Sequence, residues 1–101
     1  LNMNKILNLL GLAARARMIT LGEEFVLKTL PKGPDNLVFL ASDAGKNISG
    51  KITNKTESYG ALMINTFTTD ELSKAIGKEN RKVILVTDKG FINKFKEYIN
   101  S

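Results

Sequence analysis

With 101 residues and 43% apolar composition, the chain can build one hydrophobic core and is too short for two domains. Lysine and arginine outnumber aspartate and glutamate by 15 to 10, and the resulting net charge of +5 favours polyanionic partners. Cysteine and histidine are absent, which excludes disulfides, thiolate chemistry and the commonest general base and metal ligand. Because the apolar runs are short and no signal-peptide pattern is present, we expect a cytoplasmic protein without a membrane span.

The first half of the chain predicts two helices and two strands from its apolar spacing. In order, these are a helix over residues 4–15, a short strand over 18–20, a helix over 23–30 and a strand over 37–41. Pro31 and Pro34 mark the end of the second helix and the turn that follows it. The second strand is a continuous apolar run, which is typical of a strand covered on both faces.

The second half continues the alternation of helix and strand. It predicts a helix over residues 46–59, a buried strand over 61–64, a short helix over 70–76, a strand over 83–86 and a last helix whose apolar face runs from Phe91 to Ile99. Strands that alternate with helices in this way predict a sheet between two helical layers. The expected fold class is therefore α/β, as a three-layer α/β/α sandwich, and the absence of repeats and linkers predicts a single domain over residues 1–101.

One segment is similar to a phosphate-binding P-loop. Residues 45–51 follow a predicted strand and carry two glycines and a lysine at the required spacing. The match fails at Ile52, which stands where a magnesium-binding hydroxyl is needed. The favoured interpretation is an amphipathic helix with Lys51 and Lys55 on its solvated face, so we predict no enzymatic activity.

Two aspartates stand after buried strands, where α/β folds often place ligands. Asp43 follows the second predicted strand, and Asp88 follows the last one. Each could serve a site, but a cap on the helix that follows explains both, and we favour caps. Asp70 and Glu71 open the fourth helix, where negative charge suits the helix dipole.

The junction between the first strand and the second helix is the most informative part of the chain. Gly22 at this point permits a positive φ and exposes the first N–H groups of the helix, which can point at an anion. Lys28 lies about one and a half turns further on, with Lys32 one turn beyond it. The alternative role of Lys28 is an i,i+4 ion pair with Glu24, worth a few tenths of a kcal/mol.

This junction resembles the kink-turn RNA-binding ribosomal protein family, the "L seven A e" family, and within it a short bacterial branch. The segments that carry the resemblance are residues 22–28, 11–17 and 41–43. Members present a glycine, a variable residue, an asparagine-like residue, a glutamate-like residue and, three positions on, a lysine. Gly22 and Lys28 match this pattern, whereas Glu24 replaces the asparagine-like residue and Phe25 the glutamate-like one.

The resemblance implies a mixed four-stranded sheet and a monomeric, non-enzymatic protein without cofactor or metal. It implies that the chain recognises structured, kinked RNA, with ribosomal RNA as the partner class. A cluster of Arg17, Lys28 and Lys32 would contact phosphates, and Gly22 would let the RNA backbone come close. Glu24 and Phe25 would contact bases. Phe67, at the apolar tip of its loop, would cover an extruded nucleotide. The alternative is a protein-interaction module of the translation machinery that has lost base reading.

Phe25 and Glu24 bear on the choice between RNA binding and the protein-interaction module. Phe25 could stack on an unpaired base, worth about 1–3 kcal/mol, or pack in the core as aromatic residues of amphipathic helices commonly do. Glu24 adds negative charge beside a surface that would meet phosphates. The missing base readers favour the interaction module, whereas the basic balance and Lys28 favour RNA.

Overall fold

Six helical segments and four strands make up residues 1–33 and 35–101, the part of the chain that the computed structural model describes. They are α1 (Met3–Arg15), β1 (Ile19–Leu21), α2 (Glu23–Thr29), a 3-10 turn (Leu30–Lys32), β2 (Leu37–Leu40), α3 (Lys46–Ser58), β3 (Leu62–Ile64), α4 (Thr69–Ile76), β4 (Val83–Val86) and α5 (Lys89–Ile99). Wherever the sequence predicted both ends of an element, each end agrees within one residue. The turn predicted at Pro34 lies outside the described residues.

The sheet is mixed and four-stranded, in the order β1-β4-β2-β3. Strand β4 pairs antiparallel with both β1 and β2, and β3 pairs parallel with β2. The two central strands, β2 and β4, are buried along their whole length. The prediction that the third strand is buried is wrong, because β3 is an outer strand and Leu62 is 43% exposed.

Helices cover both faces of the sheet, which confirms the α/β/α architecture. Alternate side chains of β2 point to opposite faces, so Leu37 and Phe39 pack with α1, α4 and α5, whereas Val38 and Leu40 pack with α2 and α3. The ring of Phe39 meets that of Phe95 edge-on, with 5.3 Å between the ring centroids. Within the described residues, no helix has the length and apolarity that a membrane span would need.

The buried face of α1 packs on α4 at Gly11. A Cβ atom on Gly11 would lie 2.8 Å from the carbonyl oxygen of Ala75, which is closer than a real Cβ approaches. At its C-terminus α1 ends in a Schellman motif, in which Met18 N–H donates to the carbonyl of Ala13. This motif places Arg17 in the left-handed region, with φ of 59°.

Candidate functional site

Three helices begin at the same side of the sheet. The register pairs Leu21, the last residue of β1, with Ile84 near the start of β4, and Leu40, the last residue of β2, with Val83. Because β3 runs parallel to β2, the strands β1, β2 and β3 all end where β4 begins. We call this side the Gly22 edge; it comprises Gly22, residues 41–45 and 65–68, and the loop 78–82 before β4.

Two of the helix starts at this edge have no side-chain cap. In the other three α-helices, side chains accept hydrogen bonds from the first turn: Asn2 caps α1, Thr68 caps α4 in a capping box with Glu71, and Asp88 caps α5 as predicted. Helices α2 and α3 instead begin at Gly22 and Gly45, where no side-chain cap forms. The first-turn N–H groups of the 13-residue helix α3 therefore remain available to an acceptor from outside, and its dipole favours a negative one, whereas α2 has seven residues and carries Glu23 and Glu24 in its first turn.

Four basic side chains surround these uncapped starts. Adjoining clefts at the Gly22 edge are lined by Lys46, Lys51, Arg81 and Lys82. The Nζ atom of Lys51 lies 3.8 Å from a carboxylate oxygen of Glu23, and Lys82 donates a 2.8 Å hydrogen bond to Asn80. None of the four was among the predicted site residues. Two sequence features could have indicated these residues: the basic run 78–82 directly before a strand, and the lysines of the P-loop-like segment.

The P-loop-like segment is helical, which confirms the favoured prediction. Residues 46–58 form the continuous helix α3, and Lys51 and Lys55 are exposed. Ile52 is fully buried in the core cluster beneath α2 and α3. No phosphate-binding loop can form while these residues are helical, although Lys46 and Lys51 do face the cleft.

Asp43 caps a different helix from the one predicted. Its Oδ1 atom accepts hydrogen bonds from the backbone N–H and the hydroxyl of Thr69, at 2.9 and 2.6 Å, so it holds the start of α4 rather than that of α3. The prediction failed because this contact joins residues 26 positions apart. The bonds from the Thr69 hydroxyl and N–H, together with the charge of Lys82, lower the pKa of the Asp43 carboxyl.

Gly22 has the backbone conformation that the sequence predicted. Its φ is 92° and its ψ is 134°, a region that residues with a Cβ rarely adopt. The nearest atom to a Cβ at this position is Cδ2 of Phe25, at 3.7 Å, which is ordinary van der Waals contact. Backbone conformation rather than lack of space therefore requires glycine here.

The outer face of α2 carries three of the predicted residues. Phe25 is 62% exposed, so the alternative that it packs in the core is wrong. Glu24 and Lys28 form the i,i+4 pair considered above, with 3.8 Å between Nζ and Oε1. Since Glu23 pairs with Lys51, both carboxylates at the start of α2 have a lysine close by.

Arg17 and Lys32 do not join Gly22. Strand β1 begins opposite Val86, so Arg17 lies at the side of the sheet where β4 ends. Lys32 follows α2 and lines a cleft with Thr87 and Lys89, just after β4. Both therefore lie away from Gly22, at the side of the sheet towards which α2 runs, and their cluster with Lys28, near the end of α2, stays a prediction.

Phe67 is part of the core. Its side chain is 1% exposed and lies in the same cluster as Ile64 and Leu72. The carbonyl of Phe67 also accepts a 2.8 Å hydrogen bond from Ser42 N–H, which ties this loop to the end of β2. The prediction that Phe67 forms an apolar tip is wrong, because the ring turns inward.

Comparison with known proteins identifies relatives of this chain. The sequence pattern of the ribosomal protein L7Ae/L30e/S12e/Gadd45 family matches residues 4–96. The chain is 42% identical over 86 residues to the RNA-binding protein YlxQ of Bacillus subtilis (strain 168), covering 85% of this chain and 86% of that protein. It is 37% identical over 98 residues to the RNA-binding protein YlxQ of Enterococcus faecium, covering 97% and 94%.

Two solved structures have the same fold. A Bacillus halodurans protein described as having unknown function superposes with a TM-score of 0.88 at 43% identity, over 96% of this chain and 98% of that one. The Giardia lamblia 15.5kD RNA binding protein superposes with a TM-score of 0.82 at 22% identity, over 97% and 84%. The second likeness shows the fold alone.

Proposed function

Because the chain belongs to the ribosomal protein L7Ae/L30e/S12e/Gadd45 family, we propose that it is a non-enzymatic, cytoplasmic RNA-binding protein. The names of the two YlxQ relatives support this proposal. The observation that carries it is the Gly22 edge, where two uncapped helix starts meet four basic side chains. Backbone N–H groups and lysine or arginine side chains are the donors that proteins use for nucleic-acid phosphates.

The edge is suited to recognition of backbone shape. Phosphates of a folded RNA would accept hydrogen bonds from the first turn of α3 and pair with Lys46, Lys51, Arg81 and Lys82. Gly22 would let the RNA backbone come close to the start of α2. Such contacts report where phosphates lie in space and carry little information about base sequence.

We further propose that the RNA is kinked and belongs to the ribosome. A sharp bend brings phosphates of two strands together, which matches a compact group of donors at one sheet edge. Phe25 is exposed at the start of α2 and offers a ring on which an unpaired base can stack. Glu24 supplies only an acceptor at the neighbouring position, so base reading by this surface is weak.

Binding to structured RNA should depend strongly on salt. If three to five phosphates are neutralised, the slope of log K against log salt should be about −2 to −5. The experiment is a fluorescence-anisotropy titration of a kinked ribosomal RNA fragment at several salt concentrations, with an unkinked duplex of the same length as control. A flat salt dependence, or no binding to either RNA, would contradict the proposal and favour the protein-interaction module.

Replacement of Lys28 by alanine tests the outer face of α2. We expect RNA affinity to fall by about 1 kcal/mol if the ammonium contacts phosphate. The thermal midpoint should stay nearly unchanged, because the pair with Glu24 is exposed. A matched control is Lys55→Ala, which removes an exposed lysine from α3. If Lys28→Ala lowers the midpoint and leaves binding unaltered, Lys28 is structural.

Restoring the family's base readers should improve binding to a standard kink-turn. The double substitution Glu24→Asn with Phe25→Glu replaces the aromatic ring by hydrogen-bonding groups for the sheared G·A base pairs of a kinked duplex, which members of the family read. The two changes leave net charge unaltered, so any gain comes from base contact rather than charge. We expect at least tenfold tighter binding, about 1.4 kcal/mol.

Both positions are exposed, so this variant should remain folded. Its thermal midpoint is measured beside its affinity. A folded variant without improved affinity would argue that this surface does not face a kink-turn.

A further inference from the structure

A groove of about 570 Å³ separates α1 from α4 on the helical layer that lies across the sheet from α2 and α3. Gly11 of α1 and Ala75 of α4 line it, and a Cβ on Gly11 would lie 2.8 Å from the carbonyl oxygen of Ala75. Helices that cross diverge on either side of their closest contact, and the small residues at this contact leave the space unfilled. The groove extends along α1 from Leu7 to Arg15, about 12 Å or two helical turns.

The floor of the groove is apolar and accessible. Leu12 is 50% exposed, whereas Leu9 and Leu10 of the same helix lie in the core. Leu7 and Ala75 are half-buried beside it. Leu12 and Arg15 neither pack in the core nor lie at the Gly22 edge.

The rim of the groove is cationic. Arg15 and Lys74 line it, and neither forms an ion pair with any residue in the ranges 1–33 and 35–101. The Nη1 atom of Arg15 lies 3.6 Å from the position of a Cβ on Gly11, so the guanidinium folds over the floor. Glu71, the one acidic residue of the lining, accepts hydrogen bonds from the N–H and hydroxyl of Thr68.

From this arrangement we infer that the groove docks an acidic amphipathic helix of a partner protein. One or two of its apolar side chains lie on Leu12 and the floor, and its carboxylates pair with Arg15 and Lys74. Apolar anchors spaced three or four residues apart suit a groove two turns long. Charge complementarity selects acidic partners over basic ones and raises their association rate.

The lining favours protein over RNA as the occupant. Proteins hold unpaired bases chiefly by stacking on aromatic rings and guanidinium planes; the lining offers one guanidinium, that of Arg15, and its apolar residues are leucine, alanine and glycine. Aliphatic floors of this kind instead take the apolar side chains of a helix. The basic clefts lie beside α2 and α3, whereas the groove lies between α1 and α4 on the opposite helical layer, so one molecule can hold RNA and the partner at once.

A peptide selection tests this inference without a known partner. The full chain is panned against a phage library of random 16-residue peptides, and recovered peptides are synthesised and titrated by fluorescence anisotropy. We expect acidic peptides with apolar residues at i and i+3 or i+4. Their affinity should fall at least tenfold for Leu12→Asp and for the double variant Arg15→Gln with Lys74→Gln.

The matched control is Lys5→Gln with Lys89→Gln, which removes two charges from exposed positions outside the groove and should leave peptide affinity unchanged. Thermal midpoints establish that each variant is folded, and the double variant alters only exposed side chains. Failure to recover peptides, recovery of basic ones, or equal binding by groove and control variants would overturn the inference. If the groove variants weaken RNA binding more than the control does, the groove is an RNA surface.

Discussion

Replacing Lys46, Lys51, Arg81 and Lys82 together by alanine should lower the affinity for structured RNA at least 100-fold, about 2.7 kcal/mol. All four side chains line the clefts at the Gly22 edge, beside the uncapped starts of α2 and α3. Each lost phosphate contact removes counterion release, so the salt slope should also become shallower by about one per contact. Titrations at several salt concentrations measure both quantities.

The control for this variant must have the same net charge. Four lysines of α1 and α5, on the far helical layer, provide it: Lys5, Lys89, Lys94 and Lys96. Both quadruple variants carry a net charge of +1, since each loses four of the original +5. We expect the control to retain most of its affinity. Equal losses in the two variants would mean that overall charge, rather than the Gly22 edge, attracts RNA.

Substitution of Gly11 by alanine should destabilise the fold by about 1–3 kcal/mol. Alanine has the higher helix propensity, by about 1 kcal/mol, so propensity alone predicts the opposite sign. The added Cβ would lie 2.8 Å from the carbonyl oxygen of Ala75, and this backbone atom cannot move without shifting α4. The measurement is the free energy of unfolding from urea denaturation.

Gly50 supplies a matched control for this prediction. It lies within α3, and a Cβ there would meet no atom within 4 Å. Gly50→Ala should therefore stabilise the protein by about 0.5–1 kcal/mol. If Gly11→Ala is also stabilising, α1 and α4 do not pack as closely as described.

The local sequence pattern predicted the secondary structure. It did not predict the burial of residues whose exposure depends on contacts with distant parts of the chain. The central strands β2 and β4 are unbroken apolar runs, and such runs predict burial on both faces. The strand at Leu62 has the same kind of sequence, yet its place at the outside of the sheet exposes it. Phe67 is buried where an exposed loop tip was predicted, and Phe25 is exposed where base contact and core packing were both left open, because helix orientation and loop path are tertiary properties.

The candidate site was only partly predictable. Gly22 could be singled out because a positive φ at a strand–helix junction is a local property. The basic residues around it come from α3 and from the loop before β4, and only the strand order brings these segments to one edge. The sequence therefore predicted the backbone conformation at the start of α2 and missed most of the charge that surrounds it.

The two outer strands bear on how this protein avoids aggregation. Strands at the side of a sheet offer unpaired N–H and C=O groups to other chains, and long flat ones seed intermolecular sheets. Here β1 and β3 each contain three residues, whereas the four-residue strands β2 and β4, the most apolar segments, are enclosed between them. The segments with the greatest tendency to form fibrils are thus shielded for as long as the native sheet persists.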